Sequence, residues 1–306
     1  MGYDRIRIKT NAKRIVRDAS PRPWAVTAVL WFLLADLAAL CTLPLMATGL
    51  FSAPEGSRPP LLAILLGVAF GVGLFLLALI LHAGYTSYTL QLWRQERATG
   101  FAELLLGFFS ASQILELWFR LALHTLLWAA PGVAVLEWLR RLADGPDPAP
   151  ALAWALPTAG VLFALYLLER VSRYALALLS LMDNPEIGAQ QAIDRSKRLM
   201  AGRRVDLLIF LLSFLGWWLV AALVAGLFYL VGDLFLALIT DLAVQSGPAS
   251  LTLILPFLLF GLAAAIPLLL WLTSYMSTAF AGFYAATIAP PFPGLQPPEF
   301  RRRDLL

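Results

Sequence analysis

Six long apolar stretches separated by short polar connections organise this chain, over residues 24–50, 61–82, 111–138, 151–182, 205–229 and 251–271. Each reaches or exceeds the ~20 residues that carry a helix across about 30 Å of hydrocarbon. The pattern predicts an all-α, polytopic membrane bundle of about six transmembrane helices. Two shorter segments have helical periodicity of a different kind. Near 99–109, Phe101, Leu104, Leu105 and Phe108 recur at helical spacing behind Arg94, Glu96 and Arg97, which fits a helix lying in the membrane interface. Near 185–201, Ala189, Ala192, Ile193, Ser196, Leu199 and Met200 fall on one face. Gln190, Gln191, Asp194, Arg195, Lys197 and Arg198 fall on the other.

Local signals bound these elements. Asp183, Asn184 and Pro185 form a helix-cap motif for the second surface helix, with a capping side chain and a proline where its missing N–H costs nothing. Gly202 marks its end, and Ser110 with Gln113 offers a capping box for the third span. Residues 231–244 and 275–288 extend beyond what a simple crossing needs. The expected organisation is a basic cytoplasmic segment at 1–23, a single transmembrane domain at 24–289 and a Pro-rich basic cytoplasmic tail at 290–306.

Charge gives this pattern a direction. With the six spans removed, 17 of the 23 Lys and Arg fall in alternate connections that include both termini, and only Arg58, Arg140 and Arg141 lie in the others. Positive-inside bias then places both termini in the cytoplasm and requires an even number of spans. Composition agrees: 60% of residues are hydrophobic and the mean hydropathy is +0.77. The net charge of +4 is accounted for by orientation and by anionic headgroups on the cytoplasmic face, and no basic stripe points to nucleic acid. Cys41 is the single cysteine, which excludes an internal disulfide and any CxxC site. No cofactor is implied.

The candidate chemistry lies in charges placed inside the apolar stretches. Glu116, Arg120 and His124 follow one another at i, i+4 and i+8, Glu169, Arg170 and Arg173 occur in the fourth stretch, and Asp36 occurs in the first. Unpaired charge at the bilayer centre costs at least about 2.5–3.5 kcal/mol per group. These residues are therefore expected to face inward as one ionic network joining spans one, three and four. Two uses of such a network stand side by side: a helix-packing lock, or an ion or solute path with His124 as a titrating group. On the surface helix, Arg195, Lys197 and Arg198 are expected to bind anionic headgroups, with a docking face for a soluble partner as the other reading. Gly67 and Gly71 form a GxxxG pair suited to close helix packing, within the chain, in a homo-oligomer or against another membrane protein.

The run from Asp183-Asn184-Pro185 through Gln191 to Gly202, and on to Leu212-Ser213-Phe214-Leu215-Gly216-Trp217, resembles a family of bacterial membrane proteins. That family is domain of unknown function nine hundred and seventy-five. Ala130-Pro131-Gly132, Arg173-Tyr174, Tyr275 and Phe283-Tyr284 fit the same resemblance, while Ser274 stands where the family usually has proline. The resemblance implies a multi-span protein of the inner membrane and carries no accepted reaction or catalytic residue. The chain also lacks a phosphate-binding glycine loop, an H-E-x-x-H pair and a G-x-S-x-G elbow. The expectation is a non-enzymatic structural, assembly or accessory factor, with a small channel or secondary transporter as the alternative.

Overall fold

A computed structural model describes residues 5–47, 61–94, 100–144, 152–243 and 251–288. Residues 145–150 and the tail expected at 290–306 lie outside the described residues, as do Arg58 and Arg97. Among the described residues the regular structure is helical: α1 (Arg5–Asp18), α2 (Pro23–Ala47), α3 (Leu61–Arg94), a 3-10 turn (Phe101–Leu105), α4 (Leu106–Phe109), α5 (Ala111–Ala143), α6 (Leu152–Ser172), α7 (Ala177–Asp183), α8 (Ala189–Leu199), α9 (Arg204–Leu212), α10 (Leu215–Ala243) and α11 (Leu251–Ile288).

The packed core is concentrated at one end of the bundle. One cluster joins Ile15 with Val26 and Leu30 at the start of α2 and with Leu81, Tyr85 and Tyr88 near the end of α3. A second joins Ile114 and Leu117 at the start of α5 with Tyr174 and Ala177, just past the end of α6. The third joins Ile8 and Ala12 of α1, Phe214 ahead of α10, and Tyr275 and Tyr284 in the last turns of α11. The six long helices therefore leave this hub and return to it in alternation. Away from it, residues such as Leu61, Val135, Trp154 and Leu223 are exposed apolar side chains, the surface expected where acyl chains take the place of water.

Helix lengths explain the two-part arrangement. α3 has 34 residues, α5 has 33 and α11 has 38, or about 50–57 Å at 1.5 Å per residue. Hydrocarbon accounts for about 30 Å of that. The surplus gives α1, α4, α7, α8 and α9 something to pack against. Segments 231–243 and 275–288 are continuations of α10 and α11, and the second is hub core, with Tyr275, Ala279, Phe283 and Tyr284 fully buried. Pro131 sits inside α5 without ending it, and α11 runs through Pro267.

Backbone contact seals one seam of the hub. A Cβ on Gly84 of α3 would sit 2.1 Å from the Leu104 carbonyl oxygen, and one on Gly107 of α4 would sit 2.2 Å from the Ile80 carbonyl oxygen. Hydrogen at both positions lets the 100–109 segment lie on α3, where Leu104 is buried while Phe101, Leu105 and Phe108 stay exposed. At Gly71 a Cβ would meet nothing within 4 Å, so that half of the GxxxG pair makes no close approach within the described chain.

Several expectations change. The basic N-terminal segment contains a docked helix, α1, whose Ile8, Ala12, Ile15 and Val16 are buried. The fourth apolar stretch is not one helix: α6 stops at Ser172, residues 173–176 turn, and α7 continues. The fifth is split at Ser213 and Phe214 between α9 and α10. Helix α8 begins at Ala189 with Gly188 as its N-cap and no capping side chain, so Asp183, Asn184 and Pro185 do not cap it. Asp183 ends α7, and the Asn184 side-chain oxygen accepts from the Glu186 amide at 3.2 Å, closing a local turn. Ser110 is the N-cap of α5 but makes no side-chain cap bond, and the Gln113 side-chain oxygen is buried without a hydrogen-bond partner among the described residues.

Candidate functional site

Both helix breaks are held by side chains from distant elements. At 173–176 the buried Ser196 hydroxyl of α8 accepts from the Leu176 amide at 3.2 Å and donates to the Arg173 carbonyl at 2.9 Å. One residue thus satisfies two backbone groups that the interrupted helix leaves unpaired. At 213–214 the Lys9 ammonium of α1 donates to the Ser213 carbonyl at 3.0 Å and lies 4.6 Å from the Phe214 ring centre. A cation at the end of α9 meets the negative end of the helix dipole. Burial, with Lys13 nearby, lowers the Lys9 pKa from the ordinary lysine value.

Asp183 closes the hub. Its carboxylate pairs with Arg94 at the end of α3, accepts from the Tyr284 hydroxyl of α11 at 2.8 Å and lies 3.4 Å from Arg195 of α8. Its side chain is 11% exposed. Four elements meet on one carboxylate, and Arg195, expected at the membrane surface, is turned into the protein. Of the other two surface cations, Lys197 pairs with Asp194 at 3.1 Å and lies 5.7 Å from the Tyr174 ring centre, whereas Arg198 is exposed. The Asp194 carboxyl is held below the usual range, first by the hydrogen bond from Lys197 and then by that from Gln190.

The expected three-span network divides into separate groups. On α5, Arg120 pairs with Glu116 at 2.7 Å and donates to the Gln190 side chain of α8 at 2.9 Å. His124 Nδ1 lies 2.7 Å from the Arg120 carbonyl, and its ring is 5.7 Å from that of Tyr174. On α6, Glu169 pairs with Arg173 at 2.9 Å, with Arg204 of α9, and with Arg170 at 3.5 Å. The Arg170 guanidinium lies over the Trp128 ring of α5 at 4.4 Å, a cation–π contact. Asp36 is exposed on α2 and joins neither group. The division follows from the fold: α8 and α9 pack into the hub and supply partners that the sequence order of the spans does not reveal.

A cavity of about 420 Å³ lies among α3, α5, the α6–α7 break, α9 and α11. Many of its hydroxyls are already committed. Thr86 donates to the His82 carbonyl at 2.9 Å, Thr89 to Thr86 at 2.9 Å, Thr125 to Leu121 at 2.8 Å and Ser172 to Glu169 at 2.8 Å. Tyr85 bonds Thr27 at 2.8 Å, and Thr27 bonds Ser274 at 2.8 Å. The wall is thus largely apolar. A second chamber of about 170 Å³ shares Leu168, Ser172, Leu207 and Leu211 with the first and reaches Glu169 and Arg204.

Five of the helical segments are long and apolar enough to cross a membrane, and together with the charged hub they define the class, an all-helical multi-pass membrane protein. Within that class, residues 160–289 match the family model described as a protein of unknown function (DUF975). This is the family that the 183–217 motifs resemble. The match takes in the α6–α7 break, Ser196, Asp183, the Glu169 cluster and most of the cavity wall. No curated protein and no solved structure matches the chain.

Proposed function

We propose that the chain is a six-span protein of a bacterial inner membrane with both termini and the hub on the cytoplasmic side. Helix α6, with 21 residues, is about 32 Å long and supplies the sixth crossing. The shared packing of α1 with the end of α11 supports an even number of crossings, and the basic residues of α1, α8 and α9 support the orientation. With Cys41 replaced by Ala, single cysteines at Arg7, Asp144 and Arg198 report it through an impermeant maleimide on intact spheroplasts. Position 144 labels from outside, and positions 7 and 198 label only after permeabilisation. Labelling of 7 and 144 from the same side sinks this topology.

Its role is that of a non-enzymatic structural, assembly or accessory factor whose charges lock the hub. One observation carries this reading: the acids and arginines of the apolar stretches pair locally with α8 and α9 instead of lining up across the bundle. The alternative of a channel or transporter draws support from the cavity, whose occupant is taken up below. Thermal unfolding in detergent tests the lock. Arg120→Gln and Arg173→Gln each lower the midpoint, while Asp36→Asn stays at the parent value. Arginine variants as stable as the parent would remove the basis for the lock.

A further inference from the structure

The cavity and the Glu169 cluster adjoin, and together they have the shape of a lipid site. Three arginines, Arg170, Arg173 and Arg204, surround one carboxylate, so the group carries a formal charge of +2. Their guanidiniums offer about fifteen N–H donors, against about four acceptor positions on Glu169. Among the described residues, the Nε–H groups of all three are buried without a hydrogen-bond partner. The arginine side chains are nevertheless 27–32% exposed, so the group is reachable from outside the fold. Beside Glu169 and Arg204 the smaller chamber shares a wall of Leu168, Ser172, Leu207 and Leu211 with the 420 Å³ cavity, whose volume falls within the ~300–1,000 Å³ typical of small-molecule sites.

We propose that this composite site holds one anionic phospholipid, its phosphate on Arg170, Arg173 and Arg204 and one acyl chain in the cavity behind Arg204. Charge excess selects an anionic headgroup, and guanidinium geometry suits phosphate through paired N–H donors. The wall, with most of its hydroxyls bonded back to their own helices and Tyr85 bonded to Thr27 of α2, takes an apolar chain and gives a polar solute few free partners. A bound lipid also completes the hub. It fills the gap between α6 and α9 and neutralises the excess charge next to the α6–α7 break. The inference builds on the structural role proposed above by naming the lipid as the partner that finishes the lock.

The test uses the full chain purified in a neutral detergent, so it is independent of membrane orientation. The increase in unfolding midpoint is measured on adding phosphatidylglycerol, phosphatidylcholine with the same acyl chains, or inorganic phosphate. Phosphatidylglycerol is expected to raise the midpoint well above the phosphatidylcholine value, with inorganic phosphate near baseline. Arg173→Gln combined with Arg204→Gln should weaken the phosphatidylglycerol response about tenfold or more in lipid concentration. Leu211→Trp, which fills the shared wall and keeps every arginine, should abolish it. Native mass spectrometry of the parent, which needs no variant to fold, is expected to show one retained anionic lipid per chain. Equal responses to the two lipids, a response to phosphate matching that to phosphatidylglycerol, or a parent without retained lipid each overturn the proposal. Any of them leaves the arginine-variant stabilities, and with them the lock, to stand or fall separately.

Discussion

Asp183→Asn is the sharpest single perturbation of the hub. The native carboxylate accepts from Tyr284 and faces Arg94 and Arg195 with 11% of its side chain exposed. The amide keeps the shape, loses the charge and leaves two arginines opposite a neutral group. Breaking a fully buried ion pair costs about 3–5 kcal/mol. Here the arginines are 37% and 28% exposed and water can recover part of their solvation, so about 2–3 kcal/mol is expected. At about 2–4 °C per kcal/mol for domains of 150–250 residues, the midpoint should fall by about 4–12 °C. The ten tryptophans give a fluorescence readout in detergent. Tyr284→Phe alone should cost about 1 kcal/mol, but much less in the Asp183→Asn background, because the hydroxyl then donates to a weaker acceptor. An Asp183→Asn midpoint within about 1 °C of the parent, or strict additivity with Tyr284→Phe, refutes the latch.

Three further outcomes follow from the same geometry. Ser196→Ala strands the Leu176 amide and the Arg173 carbonyl at a buried break and should cost about 1–3 kcal/mol, measured by denaturant unfolding; Ser196→Thr, which keeps the hydroxyl, should recover part of it. Gly84→Ala places a Cβ 2.1 Å from the Leu104 carbonyl oxygen and should lower the midpoint by more than Gly71→Ala, where a Cβ meets nothing. Because the folded Asp194 pKa is depressed, its contribution is present above the unfolded value of about 3.9 and is lost as pH falls through the lower folded value. Asp194→Asn should therefore flatten the acid side of the stability profile between about pH 5 and 2. The effect should stay below about 1 kcal/mol, since Asp194 and Lys197 are 44% and 38% exposed.

Hydropathy made the long helices legible because burial in a membrane is a property of single segments. Helix α8 was legible for a related reason: Ala189, Ala192, Ile193 and Ser196 follow the helical period and are the residues buried, and Gly202 takes the positive φ of 74° expected past its end. Helix α1 has the same signal in Ile8, Ala12, Ile15 and Val16, but the basic residues around them read first as a topology determinant. Long-range pairing was not legible. Asp183 looks like a cap because capping and ion pairing use the same residue types, and its partners Arg94 and Tyr284 lie 89 and 101 positions away. The break after Ser172 has no glycine or proline within 173–176, and the hydroxyl that stabilises it comes from α8. Arg120 lies near the start of α5, whose 33 residues span about 50 Å and carry part of their length outside the hydrocarbon, and Arg173 lies just past the end of α6; neither placement is visible in hydropathy alone.

Ion flux into proteoliposomes most directly tests the central claim that the charges at the hub form a closed lock. With a proton or potassium gradient across vesicles of phosphatidylglycerol and phosphatidylethanolamine, the parent chain should leak no faster than protein-free vesicles, and Arg120→Gln, His124→Ala and Arg173→Gln should leave that rate unchanged. Flux above the lipid background that any of these three substitutions abolishes would contradict the account and make the same residues a path.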